Sequence, residues 1–168
     1  MIKFKSTIKN FSLLEILVIT SFIYVFLMLT WTATTRSAVE ERANQIKDNH
    51  VNVVNFLNDE VNKCTNSGSN TSWGEPCNST WTSNIIVNYI LNNLNFKNPY
   101  SINKPLIQAV IDPRIEAEGK AGQSTNKGVI FVSSDNFNAE AGSEWVVGTC
   151  IKSPCVAAGN NELVSVYR

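Results

Sequence analysis

The sequence is poor in the residues that catalysis and metal binding use most. Its 168 residues include one histidine, His50, and four cysteines. It contains no Gly-x-Ser-x-Gly, His-Glu-x-x-His, Gly-x-Gly-x-x-Gly or P-loop pattern, so the common nucleophile, zinc, dinucleotide and phosphate motifs are absent. His50 lies within an apolar stripe, as a packed core histidine would. The sequence therefore predicts a protein that is not an enzyme and that uses no cofactor or metal.

An excess of basic charge is also missing. The chain has 14 Lys and Arg against 14 Asp and Glu, and without the three lysines of residues 1–10 the count is 11 against 14, a net charge of −3. This excludes the strongly basic surface that is typical of nucleic-acid binders. Seven basic residues could still gather beside Trp73, Trp81 or Tyr100: Lys97, Lys104, Arg114, Lys120, Lys127, Lys152 and Arg168. We interpret them as scattered, solvated side chains, so nucleic acid is possible as a partner but not indicated.

Residues 11–31 lack glycine, proline and every charge except Glu15. As a helix, these 21 residues extend about 31 Å, which matches the hydrocarbon thickness of a membrane. The run is too long for an ordinary secretory signal, whose apolar region has about 7–15 residues. Cleavage of such a signal near residues 30–33 is the alternative, but a permanent membrane anchor fits the length better.

Glu15 and the lysines that precede it suggest how this segment is used. Lys3, Lys5 and Lys9 place the N-terminus on the cytoplasmic side, since basic flanks stay inside. A carboxylate within a membrane helix costs roughly 2.5–3.5 kcal/mol and usually marks a site with a partner. Unless Lys9 folds back, the cation that pairs with Glu15 must come from another chain or from a newly made N-terminus.

Residues 10–15, Asn-Phe-Ser-Leu-Leu-Glu, resemble the processing site of type IV pilins and related pseudopilins. The resemblance implies that prepilin peptidase cuts between Asn10 and Phe11 and removes a basic leader, residues 1–10. It also implies that Phe11 becomes the N-methylated terminus and that Glu15 accepts an ion pair from the terminal amine of a neighbouring subunit. The implied partners are other pilin subunits, the peptidase and the inner-membrane assembly machinery.

The sequence also departs from that family in two places. The family normally has glycine before the cut, where this chain has Asn10, and major pilins often carry glycine and proline within the helix that follows. These differences leave open a minor pilin or a type II secretion pseudopilin. A third alternative is an uncleaved, membrane-anchored, extracytoplasmic binding module. Adhesion, twitching motility, DNA uptake and secretion remain undecided.

The helix is predicted to continue through residues 32–63 as an amphipathic half. One stripe, with spacings of mostly three and four, contains Val39, Ala43, Ile46, His50, Val53, Val54, Leu57 and Val61. The opposite face contains Glu41, Gln45, Asp48, Asn52, Asn55, Asp59 and Asn62. This pattern predicts a single helix from residue 11 to about residue 63, roughly 53 residues and about 80 Å long.

Residues 64–168 are predicted to form a small globular head. A polar loop precedes a short helix over residues 83–94, for which Ser83 is the candidate cap. Strand patterns follow at residues 105–111, 128–133, 144–151 and 162–167. The predicted fold is α+β: a long N-terminal helix packed on a small antiparallel sheet of three to four strands, similar to type IV pilins.

Four cysteines in a domain predicted to lie outside the cytoplasm indicate disulfides. Of the three possible pairings we favour Cys64 with Cys77, and Cys150 with Cys155. A four-thiolate zinc site is the alternative, but the gap between Cys64 and Cys77 is longer than zinc sites use. The resemblance to type IV pilins implies the localisation: a single pass through the inner membrane before assembly and an extracellular pilus afterwards.

Overall fold

The computed structural model describes residues 12–66, 68–94, 96–101, 103–118, 127–134, 138–139 and 144–168. The leader peptide predicted for residues 1–10 lies outside them. The chain divides into two compact units, residues 1–40 and residues 41–168. The helices and strands follow the chain in the order α1 (Leu13–Asn66), β1 (Trp81–Thr82), α2 (Ser83–Asn93), β2 (Ile107–Ala109), α3 (Pro113–Glu118), β3 (Ile130–Ser134), β4 (Asn138–Ala139), β5 (Glu144–Cys150) and β6 (Asn161–Tyr167).

The first part of α1, residues 13–31, is apolar on all sides apart from Glu15, and every described residue up to Arg42 is exposed. It includes an 18-residue window with a mean hydropathy of 2.3, and the helix is long and apolar enough to cross a membrane. Its hydroxyls bond to the helix itself: Thr20 Oγ1 donates to the carbonyl of Leu17 at 3.0 Å, and Ser21 Oγ donates to that of Val18 at 2.8 Å. These polar groups therefore need no water, which suits an apolar environment.

The second part of α1 packs into the globular unit through one face, as its pattern predicts. The stripe is buried at Ala43, Ile46, His50, Val53, Val54, Leu57 and Val61, together with Glu60. Val39 is the exception, with 48% of its surface exposed. All seven polar residues predicted for the opposite face are exposed. The helix ends at Asn66, three residues later than predicted, so Cys64 belongs to its last turn.

The N-terminal cap of α2 lies one residue earlier in the chain than the sequence predicts. Thr82, not Ser83, is the cap, and its Oγ1 accepts a hydrogen bond from the backbone N–H of Ile85 at 3.4 Å. Ser83 is instead the first helical residue and is fully buried. Ile86, Val87 and Ile90 are buried on the inner face of α2, which positions the helix against the core.

The sheet has four strands in the order β2-β3-β5-β6, and it is mixed. β3 and β5 are antiparallel, as are β5 and β6, but β2 pairs with β3 in parallel. The antiparallel sheet predicted from the sequence is therefore wrong at this edge, while the α+β class with a long N-terminal helix is confirmed. The chain between β2 and β3 contains α3, and a crossover connection of this kind is what parallel neighbours require. A second, two-stranded sheet pairs β1 with β4.

α3 was missed from the sequence, and it covers a face of the sheet that would otherwise be open. Asp112 caps it, with Oδ1 accepting the backbone N–H of Arg114 at 2.9 Å, and Pro113 occupies the first turn. A Cβ placed on Gly148 of β5 would lie 2.9 Å from the carbonyl oxygen of Pro113 and 3.0 Å from Ala117 Cβ. The absence of a side chain at Gly148 thus lets α3 approach the sheet, and β5 is buried from Trp145 to Cys150.

Candidate functional site

The start of α1 is closed by a reciprocal pair of hydrogen bonds between Ser12 and Glu15. The backbone N–H of Ser12 donates to Glu15 Oε2 at 2.8 Å, and the backbone N–H of Glu15 donates to Ser12 Oγ at 3.3 Å. The N–H of Ile16 donates to the Ser12 carbonyl at 3.1 Å. This is a capping box, which satisfies two backbone donors at a helix start. Its Ser-x-x-Glu pattern is readable in the sequence, although Glu15 was assigned only an intermolecular role there.

The capping box leaves acceptor positions of the Glu15 carboxylate unused. An ionised carboxylate offers about four acceptor positions on two oxygens, and Ser12 uses one of them. Among the residues that the structure describes, no basic side chain lies within ion-pair distance of Glu15. Asn10 and Phe11, the predicted processing site, and Lys9 lie outside that part of the chain. Glu15 can therefore cap its own helix and still accept a cation.

The surface that follows Glu15 is apolar and uncovered. Large apolar side chains between Leu13 and Trp31 have from 42% to 84% of their surface exposed. An exposed apolar surface of this extent marks a contact with a membrane or with other protein chains. Glu15 is the only acidic residue at its edge, so this end of the surface combines an apolar face with one carboxylate.

The four cysteines form two disulfides, Cys64–Cys77 and Cys150–Cys155, which are the pairings favoured from the sequence. The first bond ties the last turn of α1 to the polar loop that follows. Glu60, which is buried, holds the same loop: Oε2 accepts the backbone N–H of Ser72 at 2.8 Å, and Oε1 accepts the Ser72 hydroxyl. No pattern in the sequence indicates this role for Glu60, since acidic residues on a helix are usually solvated.

Removal of the first disulfide is expected to weaken the globular unit. The Cys64→Ser/Cys77→Ser double variant opens a loop of about 14 residues, and the chain-entropy estimate for such a loop is about 3 kcal/mol of unfolding free energy. Glu60 still anchors the loop, so the native fold should persist at room temperature. Chemical unfolding of both proteins in mild detergent measures the difference. A loss below about 1 kcal/mol would show that Glu60 and its neighbours fix the loop without the bond.

His50 is a buried core histidine held between α1 and the sheet. Its Nε2 lies 3.2 Å from the carbonyl oxygen of Val147, so the neutral ring carries its proton on Nε2, since a carbonyl can only accept. Its Nδ1 lies 3.6 Å from Glu162 Oε2, and Lys47 Nζ lies 3.3 Å from Glu162 Oε1. Burial lowers the pKa of His50; the Val147 hydrogen bond and the Glu162 charge oppose this but do not cancel it.

A pH dependence of stability follows from His50. Because the pKa of His50 is lower in the folded chain than the ordinary 6.5, the unfolded chain binds this proton more readily. Stability is therefore complete above pH 6.5 and falls as the pH drops below it, by at most about 1.4 kcal/mol per pH unit. Unfolding free energies measured between pH 5 and pH 8 test this. The His50→Gln variant should lose that part of the slope; an unchanged slope would assign it to other groups.

The basic residues of the globular unit do not all gather on one face. Arg114 Nη2 pairs with Glu144 Oε1 at 3.6 Å. The guanidinium of Arg168 lies 3.8 Å from the centre of the Trp81 ring, and its Nη1 donates to the carbonyl of Ser79 at 2.8 Å. Both arginines are therefore held by contacts within the folded chain. Lys120 lies outside the described residues.

Two other lysines do come together, in a cleft of about 710 Å³ between α1, the end of α2 and the α2–β2 connection. Lys97 and Lys104 line it with Arg42 and Tyr100, and Lys127 Nζ lies 4.1 Å from the centre of the Tyr100 ring. Burial raises the pKa of Tyr100, and the charge of Arg42 acts against that rise. Sequence reasoning included these lysines only as scattered charges and missed Arg42.

Comparisons of the chain with protein-family models, with curated proteins and with solved structures found no significant match.

Proposed function

We propose that the chain is a structural subunit of a type IV pilus-like filament, inserted in the inner membrane and cleaved before Phe11. The observation that supports this most is the combination at the start of α1: a processing-site pattern at residues 10–15 and an exposed apolar segment, residues 13–31, in which Glu15 is the one carboxylate. Such a helix can occupy a membrane before assembly and a helical bundle after it.

Within this proposal, the apolar surface of residues 13–31 packs against the same surface of other subunits. A helix that is apolar all round is stable in lipid and equally stable inside a bundle of like helices. Leaving the membrane therefore costs little as long as the neighbours replace the lipid. A single ion pair between subunits can then determine the axial position at which their helices pack.

Glu15 supplies that contact in the proposed assembly. After cleavage, the α-amino group of Phe11 has an ordinary pKa of about 7.7–8.0, so it is mostly cationic at neutral pH. Cleavage leaves the N–H of Ser12 in place, so the capping box can hold the Glu15 carboxylate while an amine from a neighbouring subunit approaches it. In a dry bundle each charge needs the other. A subunit docked at the wrong axial position would leave both unpaired.

The proposal is tested by the N-terminal residue and the mass of the protein recovered from membranes and from sheared surface material. We expect a chain that begins at Phe11, carries one added methyl group and appears in the sheared fraction. A chain that begins at Met1 and never leaves the membrane would overturn the filament role and favour the anchored binding module.

Asn10 and the absence of glycine and proline from residues 11–31 favour a second form of the same proposal, a minor pilin or a type II secretion pseudopilin. The two forms differ in abundance, not in processing. Counting copies of this chain against the most abundant protein of the sheared material separates them. A filament made mostly of this chain identifies a major subunit, and a few copies per filament identify a minor one.

A further inference from the structure

The cleft between α1, α2 and the α2–β2 connection, here called the basic cleft, is lined by three cations and no acid. Arg42 comes from α1, and Lys97 and Lys104 come from the connection. Its volume of about 710 Å³ is within the range of small-molecule sites. Residues 41–168 have no excess of basic over acidic residues. The positive charge of the basic cleft therefore comes from the grouping of these three side chains.

The three cations are not used to hold the fold. Within the described part of the chain, no acidic side chain lies within ion-pair distance of Arg42, Lys97 or Lys104, and all three are exposed. Other basic residues of the globular unit do have such partners, as Lys47 has Glu162 and Arg114 has Glu144. Like charges placed together without an anion repel one another, which a bound anion relieves.

Asn98, which lines the basic cleft, is closely packed. Its Oδ1 accepts the backbone N–H of Tyr100 at 2.9 Å. Its Nδ2 is buried and has no acceptor among the described residues. Gly128, at φ +80°, packs so closely that a Cβ there would lie 2.6 Å from Asn98 Oδ1 and 2.7 Å from Tyr100 Cδ2. Asn98 therefore brings one unpaired amide donor to the residues that line the basic cleft.

Apolar surface lies beside these charges. Phe96, Pro99 and Tyr100 are half-buried in the lining, which also contains the exposed Pro105 and the buried Leu106. The Tyr100 hydroxyl donates to the carbonyl of Ile151 at 2.9 Å, which holds its ring in place. A ligand that fits must therefore present an anion on one side and a ring or another compact apolar group on the other.

We propose that the basic cleft binds a phosphomonoester carried on a sugar- or nucleoside-sized ring. A phosphomonoester has a charge of about −1.5 to −2 at neutral pH and three acceptor oxygens, so it matches three cations better than a single carboxylate does. Arg42 can hold two of its oxygens through the guanidinium fork, while the two lysines act as point charges. The aromatic side chains contact the attached ring. The proposal rests on the globular unit alone and stands apart from filament assembly.

A polymer such as nucleic acid fits the same cleft less well. A binder of single strands uses a groove that follows several phosphates and a series of aromatic side chains. Here the cations line one cleft and do not follow a long groove, and the chain as a whole has a net charge of zero. Three phosphate contacts would give a salt dependence of only about −2 in log K against log salt.

The test measures binding of adenosine 5′-monophosphate and glucose 6-phosphate to the full chain in mild detergent at low salt, beside uncharged adenosine and glucose. We expect both phosphates to bind and both uncharged parents to bind at least tenfold more weakly, because charged hydrogen bonds are the stronger ones. Preference for adenosine 5′-monophosphate would assign the ring contact to a nucleoside base, and equal binding would assign it to the sugar. Absence of binding by both phosphates would overturn the proposal.

Variants localise the binding. Lys97→Gln/Lys104→Gln removes two charges from exposed side chains, so the fold should be retained, and we expect at least a tenfold loss of phosphate affinity. Lys152→Gln, a single substitution of the same kind at a lysine that does not line the basic cleft, is the control and should stay within about twofold. Equal affinity in both variants would overturn the site. So would a short single-stranded oligodeoxynucleotide that binds far more tightly than the monophosphate, with a salt dependence steeper than three cations can give.

Discussion

Glu15→Gln is expected to abolish filament assembly while leaving the protein in the membrane with an intact helix. Glutamine is the other residue that completes a capping box, so the hydrogen bond from the Ser12 N–H survives the change. What is lost is the negative charge that would pair with an amine of a neighbouring subunit. Breaking a buried ion pair costs about 3–5 kcal/mol, which is more than a hundredfold in each subunit contact. The yield of sheared filament, measured against the amount in the membrane, gives the result.

Two comparisons separate the charge of Glu15 from its capping role. Glu15→Ala and Glu15→Leu remove both, and we expect the same failure to assemble in a protein that still inserts. Glu40→Gln is the matched control: it makes the same chemical change on α1, where Glu40 pairs with Arg36 at 3.2 Å and both side chains are exposed. Such a pair contributes about 0.3–0.5 kcal/mol, so filament yield should not change. Wild-type yield from Glu15→Gln would contradict the proposed role of Glu15.

Trp145→Ala is expected to cause the largest loss of stability in the globular unit, about 3–5 kcal/mol. Trp145 is fully buried in β5, and its ring stacks on Trp81 with 5.2 Å between centres and 3° between planes. Trp73 in turn meets Trp81 edge-on at 5.0 Å. The variant would leave a cavity beside Trp81 in the hydrophobic core of the globular unit. Chemical unfolding in mild detergent, followed by circular dichroism, measures the loss.

Tyr167→Ala is the control for that variant. Tyr167 lies on the neighbouring strand β6 but has 66% of its surface exposed, so its truncation should change the unfolding free energy by no more than about 0.5 kcal/mol. Trp145→Phe keeps part of the ring and should fall between the two. A loss below about 1 kcal/mol for Trp145→Ala would show that the Trp145 side chain is not packed as described.

Regular patterns in the sequence were enough to predict the elements whose side chains repeat at fixed intervals. The stripe from Ala43 to Val61 has the spacing of a helix, and a helix buries whichever face is apolar. Strand-type apolar patterns likewise predicted β5 and β6, and their predicted bounds differ by at most one residue from those observed. The apolar run of residues 13–31 has no polar face at all, so its exposure and its capacity to cross a membrane follow from composition.

Short elements were harder to find because few residues carry their signal. α3 has six residues, and only the Asp112–Pro113 pair at its start indicates it. Because α3 was not predicted, nothing indicated a crossover between β2 and β3, and these strands were expected to be antiparallel. The direction of a strand leaves no mark in its own residues; it depends on how the chain returns, which is a property of the connection.

Composition and residue spacing are enough to define three parts of this chain: an apolar segment with one carboxylate, an amphipathic segment that packs by one face, and a small disulfide-bonded unit. These features depend on residues that are close together in the chain. Which distant side chains contact one another is known from the folded structure. Arg42 of α1 lines the same cleft as Lys97 and Lys104, and Glu60 accepts hydrogen bonds from Ser72. Contacts between residues so far apart in the chain depend on how helices and strands pack. For the same reason, the basic cleft could not be read from the sequence.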